Sequence, residues 1–327
     1  MQLLPTQKGS FRLFKFAGVT VYLHWMWFLL AAYEVFGSQN RYNSLAWNAA
    51  ELLAVFSTVL LHEFGHSLAC RSVGGQADTI VLWPLGGVAY VNPPQRPGAM
   101  LWSIAAGPLV NVALLVPLTA LIVWGRTQAW WGPENNIRMI IISLLAINVI
   151  LLGFNLLPIY PLDGGKIVWS LLWFVLGRGK SLMISTVLGM VGVIGLVTLA
   201  LTGKSRLFNA FFNVKEPSGL FFFILMMAFI ANVCWRSLQQ ARLLIKIDRL
   251  PRRTGYSCPS CRAAPLLGPL WKCNHCGTAF DTFETRATCP SCDARFDTTR
   301  CTDCGNTSPI IMWGLVPPPT IPPVVAE

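Results

Sequence analysis

Six apolar runs organise the first 235 residues, at positions 19–36, 45–70, 99–124, 137–157, 182–202 and 219–235. A membrane-spanning helix needs about 20 consecutive apolar residues, so the pattern predicts an α-helical polytopic membrane protein with about six transmembrane helices. Two stretches depart from it. Residues 79–91, Thr-Ile-Val-Leu-Trp-Pro-Leu-Gly-Gly-Val-Ala-Tyr-Val, are β-prone and interrupted by Gly86 and Gly87, which predicts a short membrane-associated β-segment. Residues 164–177 are apolar but too short to cross, and they read as a helix lying at the interface.

Beyond residue 235 the pattern turns polar. The predicted organisation is a membrane domain at 1–235, a basic linker helix at 236–256, a cysteine-rich region at 257–306 and a Pro-rich disordered tail at 307–327.

Composition agrees with this division. Hydrophobic residues make up 54% of the chain and charged residues only 12%, against about a quarter charged in a soluble domain, which excludes an ordinary soluble protein. The net charge of +11 would admit a nucleic-acid partner, but in a membrane chain basic residues mark the cytoplasmic flanks of the spans. With both termini in the cytoplasm, 14 Lys/Arg fall inside and 6 outside, the largest group being Arg236, Arg242, Lys246, Arg249, Arg252 and Arg253. The expected location is therefore the cell membrane, multi-pass, with cytoplasmic termini. Lys8, Arg12 and Lys15 precede an apolar run without a small-residue cleavage site, so a cleavable signal peptide is not expected.

Chemistry enters at His62-Glu63-Phe64-Gly65-His66. Residues four apart share a helix face, so both imidazoles can bind one Zn²⁺, with Glu63 beside the metal as general base. Ionisable groups in a membrane helix are expensive and are functional by default. A catalytic zinc needs a third protein ligand. Glu34 and Glu51 fall toward the outer side and Asp78 in a polar loop, whereas Asp163 follows a span broken by Pro158 and Pro161 at the depth of His66. Prolines there unwind the backbone and let the carboxylate turn inward.

His62 to His66 and Asn155-Leu-Leu-Pro-Ile-Tyr-Pro-Leu-Asp-Gly-Gly165 together resemble, in order and spacing, the two signature motifs of the site-2 protease family of intramembrane zinc metalloproteases. Residues 10–25 are similar to that family's amino-terminal strand and first span, Pro84-Leu-Gly-Gly-Val-Ala89 to its β-segment, and Gly107-Pro-Leu-Val-Asn111 to its third-span motif. The resemblance covers roughly residues 10–180. It implies His62, His66 and Asp163 as zinc ligands, Glu63 as catalytic base and Asn155 as a polar group near substrate. Lys166 stands where many members carry Arg, and a PDZ-like insertion and a nucleotide-sensing pair of domains are both absent from the sequence.

Such a site cannot reach a peptide bond inside an intact helix, so the substrate must be locally extended. A sheet edge at residues 79–91 could hold it by strand addition, so that bulk at Gly86 and Gly87 should obstruct cleavage while leaving zinc binding intact. Asn111, Asn148 and Asn155 are amides within spans, each able to hydrogen-bond substrate backbone or to tie helices together.

Eight of the ten cysteines form C-x-x-C pairs: Cys258/Cys261, Cys273/Cys276, Cys289/Cys292 and Cys301/Cys304. These are zinc-type spacings that require a reducing compartment. They suit two small zinc ribbons paired in sequence order, with an interleaved cross-brace as the alternative, giving one catalytic and two structural Zn²⁺. Between Cys258 and Cys304 five basic residues face five acidic ones. This balance disfavours nucleic acid and favours docking of a substrate or cytoplasmic regulator, while the basic linker suits anionic headgroups of the bilayer. The reading is an intramembrane zinc endopeptidase that cleaves transmembrane segments of other proteins. The alternative is a non-catalytic metal-binding scaffold, and an intact Glu63 argues against it.

Overall fold

The computed structural model describes residues 9–37, 42, 44–83, 86–202 and 217–314, and the chain divides into two compact units, 1–242 and 243–327. The first unit opens with a sheet of strands β1 (Ser10–Phe16), β2 (Val19–His24), β3 (Gln76–Trp83) and β4 (Gly86–Asn92), in that order. Strands β2 and β3 are parallel, and the outer two pairs antiparallel. The first predicted span thus divides between β2 and a 12-residue helix, α1 (Met26–Gly37). Val19, Val21 and Leu23 are buried and alternate with half-buried Thr20, Tyr22 and His24. That period of two, on residues stiff at χ1, selects a strand.

The helices that follow are α2 (Leu45–Ser72), α3 (Pro97–Gly125), α4 (Asn136–Leu156), α5 (Asp163–Leu176), α6 (Arg178–Thr202) and α7 (Pro217–Asp248). Among the described residues, α2, α3, α4, α6 and α7 are long and apolar enough to cross a membrane. The 79–91 segment forms the β3–β4 hairpin, Trp83 pairing with Gly86. Pro84 and Leu85 lie outside the described residues, as do residues 203–216. The short 164–177 run is α5, where Trp169 and Trp173 stack and Leu171, Phe174 and Val175 stay exposed.

Two packing features position the site. Phe64 of α2 joins Val19, Val21, Leu23, Ile80 and Leu82 in one buried cluster, which fixes the rotation of α2 against the sheet. Helix α4 stops at Leu156 ahead of Pro158, and the chain turns through residues 157–162 before Asp163 opens α5.

The second unit is built on cysteine turns. Each C-x-x-C pair closes in the same way: Arg262, Gly277, Asp293 and Gly305 donate to the carbonyls of Cys258, Cys273, Cys289 and Cys301, and all four donors have positive φ. The pairs do not combine in sequence order. Cys258, Cys261, Cys301 and Cys304 converge as one set and Cys273, Cys276, Cys289 and Cys292 as the other. The sequential pairing is therefore corrected, and the cross-brace with it, to a nested arrangement in which an inner ribbon is inserted into an outer one.

Burial explains the nesting. Cys258 and Cys301 pack with Phe283 and Trp313, while Cys273 and Cys289 pack with Phe280, so each set closes on its own aromatic core. Trp313 is only 1% exposed. This corrects the boundary expected at residue 306, because β6 (Thr307–Pro309) pairs with β5 (Thr298–Arg300) and a 3₁₀ turn at Ile310–Trp313 completes the outer core. Only residues 315–327 of the expected disordered tail, Pro317 to Pro323 among them, lie outside the described residues. The basic linker ends against the ribbons: Arg252 makes a bidentate pair with Asp303 at 2.8 and 3.0 Å, and Arg253 reaches Asp281 at 2.7 Å.

Candidate metal centre and catalytic carboxylate

One helical turn separates His62 from His66 on α2, and α5 brings Asp163 across to both. His62 Nε2 and His66 Nε2 lie 3.1 Å apart, and Asp163 Oδ2 is 3.2 Å from the first and 3.1 Å from the second. All three side chains are buried.

What faces the other side of each ring sets the tautomer of the neutral imidazole. His62 Nδ1 lies 2.5 Å from Asn111 Oδ1, and His66 Nδ1 lies 2.9 Å from the Ser103 carbonyl. A carbonyl oxygen only accepts, so each imidazole donates from Nδ1 and turns the Nε2 lone pair inward. With both imidazoles neutral, two lone pairs and a carboxylate oxygen converge with only acceptors facing one another, an arrangement that a bound cation relieves. The edges of 3.1–3.2 Å are close to the ~3.3 Å ligand separation of a tetrahedral site with bonds of about 2.0 Å, and a His₂-carboxylate set suits zinc. The residues present therefore fit the metal.

Asn111 is fully buried. Its Oδ1 is engaged by His62, and its Nδ2 donates to Asn148 Oδ1 at 2.7 Å, while Asn148 Nδ2 returns a bond to the Asn111 carbonyl at 2.9 Å. Of the two roles expected of it, these bonds fit the one that ties helices together, and through His62 they orient that ring. Asn111 belongs with the second layer of partners that sets the tautomer and affinity of a ligating imidazole. Gly107, four residues earlier on α3, brings that helix face against His62 and His66. A Cβ added at Gly107 would lie 2.3 Å from His66 Nε2 and 2.9 Å from His62 Cε1.

Glu63 points to the sheet. Its Oε2 accepts from the Ala89 backbone N–H at 2.8 Å, and its side chain passes so close to Gly87 that a Cβ there would lie 2.5 Å from Glu63 Cγ. Gly86 differs, since a Cβ there would meet nothing within 4 Å, and its φ of +136° is what glycine supplies. Asn155 sits half-buried in the last turn of α4, and Lys166 Nζ lies 3.7 Å from Asp163 Oδ1, the oxygen turned away from the imidazoles. Ser103, Gly107, Asn148 and Ala89 all contribute. Gly107 and Asn111 carried a sequence signal, their i, i+4 spacing on one helix face. Ser103 and Ala89 act through backbone groups and left none.

The model of peptidase family M50 matches residues 50–130 and 131–199. A zinc metalloprotease of Methanocaldococcus jannaschii is 34% identical over 180 residues, 55% of this chain and 50% of that protein. A putative zinc metalloprotease of Synechocystis is 34% identical over 140 residues, 42% of this chain and 35% of that one. The chain thus spans half or less of the length of these relatives. The solved structure of a site-2 protease from Methanocaldococcus jannaschii aligns over 70% of this chain and 95% of that one, at 28% identity and a TM-score of 0.47.

Proposed function

We propose that the membrane unit belongs to peptidase family M50, whose model matches residues 50–130 and 131–199, and that the chain is an intramembrane endopeptidase that cleaves transmembrane segments of other membrane proteins. The observation that carries the reading is the convergence of His62 and His66, on a helix long enough to span a bilayer, with Asp163 at the start of the short helix α5, beside Glu63. Zinc held there supplies Lewis acidity toward a peptide carbonyl and toward water. Glu63 accepts the proton of the attacking water and delivers it to the leaving amine nitrogen. Asn111 and the Ser103 carbonyl keep both imidazoles in the tautomer that presents Nε2. A substrate unwound at the site lies along β4, with Asn155 at the end of α4 as a further polar contact.

The chain sits in the cell membrane with both termini in the cytoplasm, the side to which the basic residues are biased. Its tail holds two structural zinc ions, one per nested cysteine set, and recruits a substrate or cytoplasmic regulator.

The test is cleavage in reconstituted vesicles. A panel of single-span proteins is incubated with wild type and with Glu63→Gln, and product ends are mapped by mass spectrometry. Cuts within the spans that vanish with Glu63→Gln support the proposal. Products cut only in the soluble flanks, or equal products from both chains, contradict it.

A further inference from the structure

Strand β4 is an edge. The sheet ends at it, with β3 as its neighbour on one side. In an antiparallel pair the residues of one strand alternate between turning their N–H and C=O toward the neighbour and away from it. Ala89 donates to Glu63, so its amide is one of those turned away, and by the same alternation Gly87 shares its direction. The free edge of β4 is therefore not an empty rail. At Ala89 it already holds the carboxylate of the proposed base, and at Gly87 it makes room for that side chain, which a Cβ would meet at 2.5–2.9 Å from Cγ, Cδ and Oε1.

We propose that the Ala89 backbone N–H is a positioning group for Glu63: the strand that offers its edge to the substrate also sets where the base stands. The inference rests on the protease reading and deepens it. Glu63 is on α2 and Ala89 on β4, so the 2.8 Å bond couples the register of the sheet edge to the place where a proton is taken up. A substrate strand added along β4 presents its scissile peptide at the level of Gly87 and Ala89, where the carboxylate already lies. The two glycines separate by role. Gly87 provides clearance for the base, and Gly86 provides the backbone turn. The expectation that bulk at either glycine would obstruct substrate then changes for Gly87, where the first atom obstructed belongs to Glu63.

The experiment compares Ala89→Pro, which removes the N–H, with Ala89→Gly, which keeps it. Proline is tolerated on an edge strand where the N–H faces away from the ladder. The probe is a fluorogenic peptide carrying one transmembrane segment, assayed with zinc-loaded full-length chain in detergent. Misplacing a catalytic group by about 1 Å costs on the order of 10²-fold in rate. Ala89→Pro should therefore lower kcat by about that factor with KM within about threefold, and Ala89→Gly should restore kcat to near wild type. Wild-type kcat in Ala89→Pro overturns the inference and leaves the protease reading standing. A wild-type chain whose cleavage does not depend on Glu63 overturns both.

A second measurement needs no substrate and serves if the proline variant does not fold. Hydrogen exchange over residues 86–92 in Glu63→Ala should show one amide fewer protected than in wild type, at equal zinc content. Unchanged protection overturns the inference.

Discussion

Replacing Gly107 by Ala adds one methyl group to the middle of α3, and its effect can be worked from distances. The new Cβ would lie 2.3 Å from His66 Nε2, 2.4 Å from His66 Cε1 and 2.9 Å from His62 Cε1. Carbon contacts are favourable at about 3.5–4.0 Å, so the His66 ring must withdraw by about 1 Å. Metal sites tolerate distance errors of only about 0.2 Å, and the ring cannot retreat freely because Nδ1 is tied to the Ser103 carbonyl at 2.9 Å. Loss of a supporting partner alone typically costs 10–100-fold in metal affinity. A methyl group pressed against the ligand atom should reach the upper end, ~100-fold, which is about 2.7 kcal/mol. The assay is zinc retention by the purified full-length chain against graded chelator, with Leu109→Ala, on the lipid-facing side of the same helix, as control. The expected result is loss of one zinc per chain with the cysteine sites still filled. Alanine is a better helix former than glycine by about 1 kcal/mol. If the clash were not real, the variant would keep all its zinc and melt higher, and that result would refute the reasoning.

Further expectations follow from other contacts. Asn111→Ala should weaken zinc retention at the membrane site by roughly 10–100-fold while leaving the protein folded, because it frees His62 to rotate; chelator titration measures it, and unchanged retention would return Asn111 to a substrate role. A chain ending at Thr288 retains Cys258, Cys261, Cys273 and Cys276; nested pairing predicts that no four-thiolate site survives, whereas sequential pairing predicts one, and cobalt absorption of thiolate sites tells them apart. Burial works to raise the Asp281 carboxyl, but the Gly268 amide, Arg253 and the Phe283 amide outweigh it and hold it below the usual carboxylate range. Its contribution to tail stability is thus present above about pH 4 and is lost as pH falls through the depressed value. Asp281→Asn should lower the melting midpoint of the tail at pH 7 by a few degrees, on the order of 4 °C, with a smaller deficit in acid, and an equal deficit at both pH values would count against the ion pair.

The parts of the site that were legible in the sequence are those whose chemistry is local. His62, Glu63 and His66 are fixed by one helix turn, and Asp163 was exposed by the prolines that break the chain before it. The roles of Asn111 and Ala89 were not legible for different reasons. An intramembrane amide is equally suited to a ligand, a substrate or a neighbouring helix, and only the approach of α2 to α3 decided for His62. Ala89 acts through its N–H, which every residue but proline possesses. In the fold, hydropathy found the long helices but read the apolar run at 19–36 as one span, because Val, Thr and Tyr count as apolar or neutral in either structure while their alternation is what makes β2. The C-x-x-C turns were legible one at a time. Their nesting was not, since it is set by Phe283 and Trp313 closing over Cys258 and Cys301, contacts far apart in sequence.

A metal at His62, His66 and Asp163 is what the proposed chemistry requires. Zinc per chain, measured in the intact protein and in His62→Ala/His66→Ala, tests it most directly. About three should be found in the first and about two in the second, from one catalytic and two four-thiolate sites. Equal zinc in both chains would contradict the central claim.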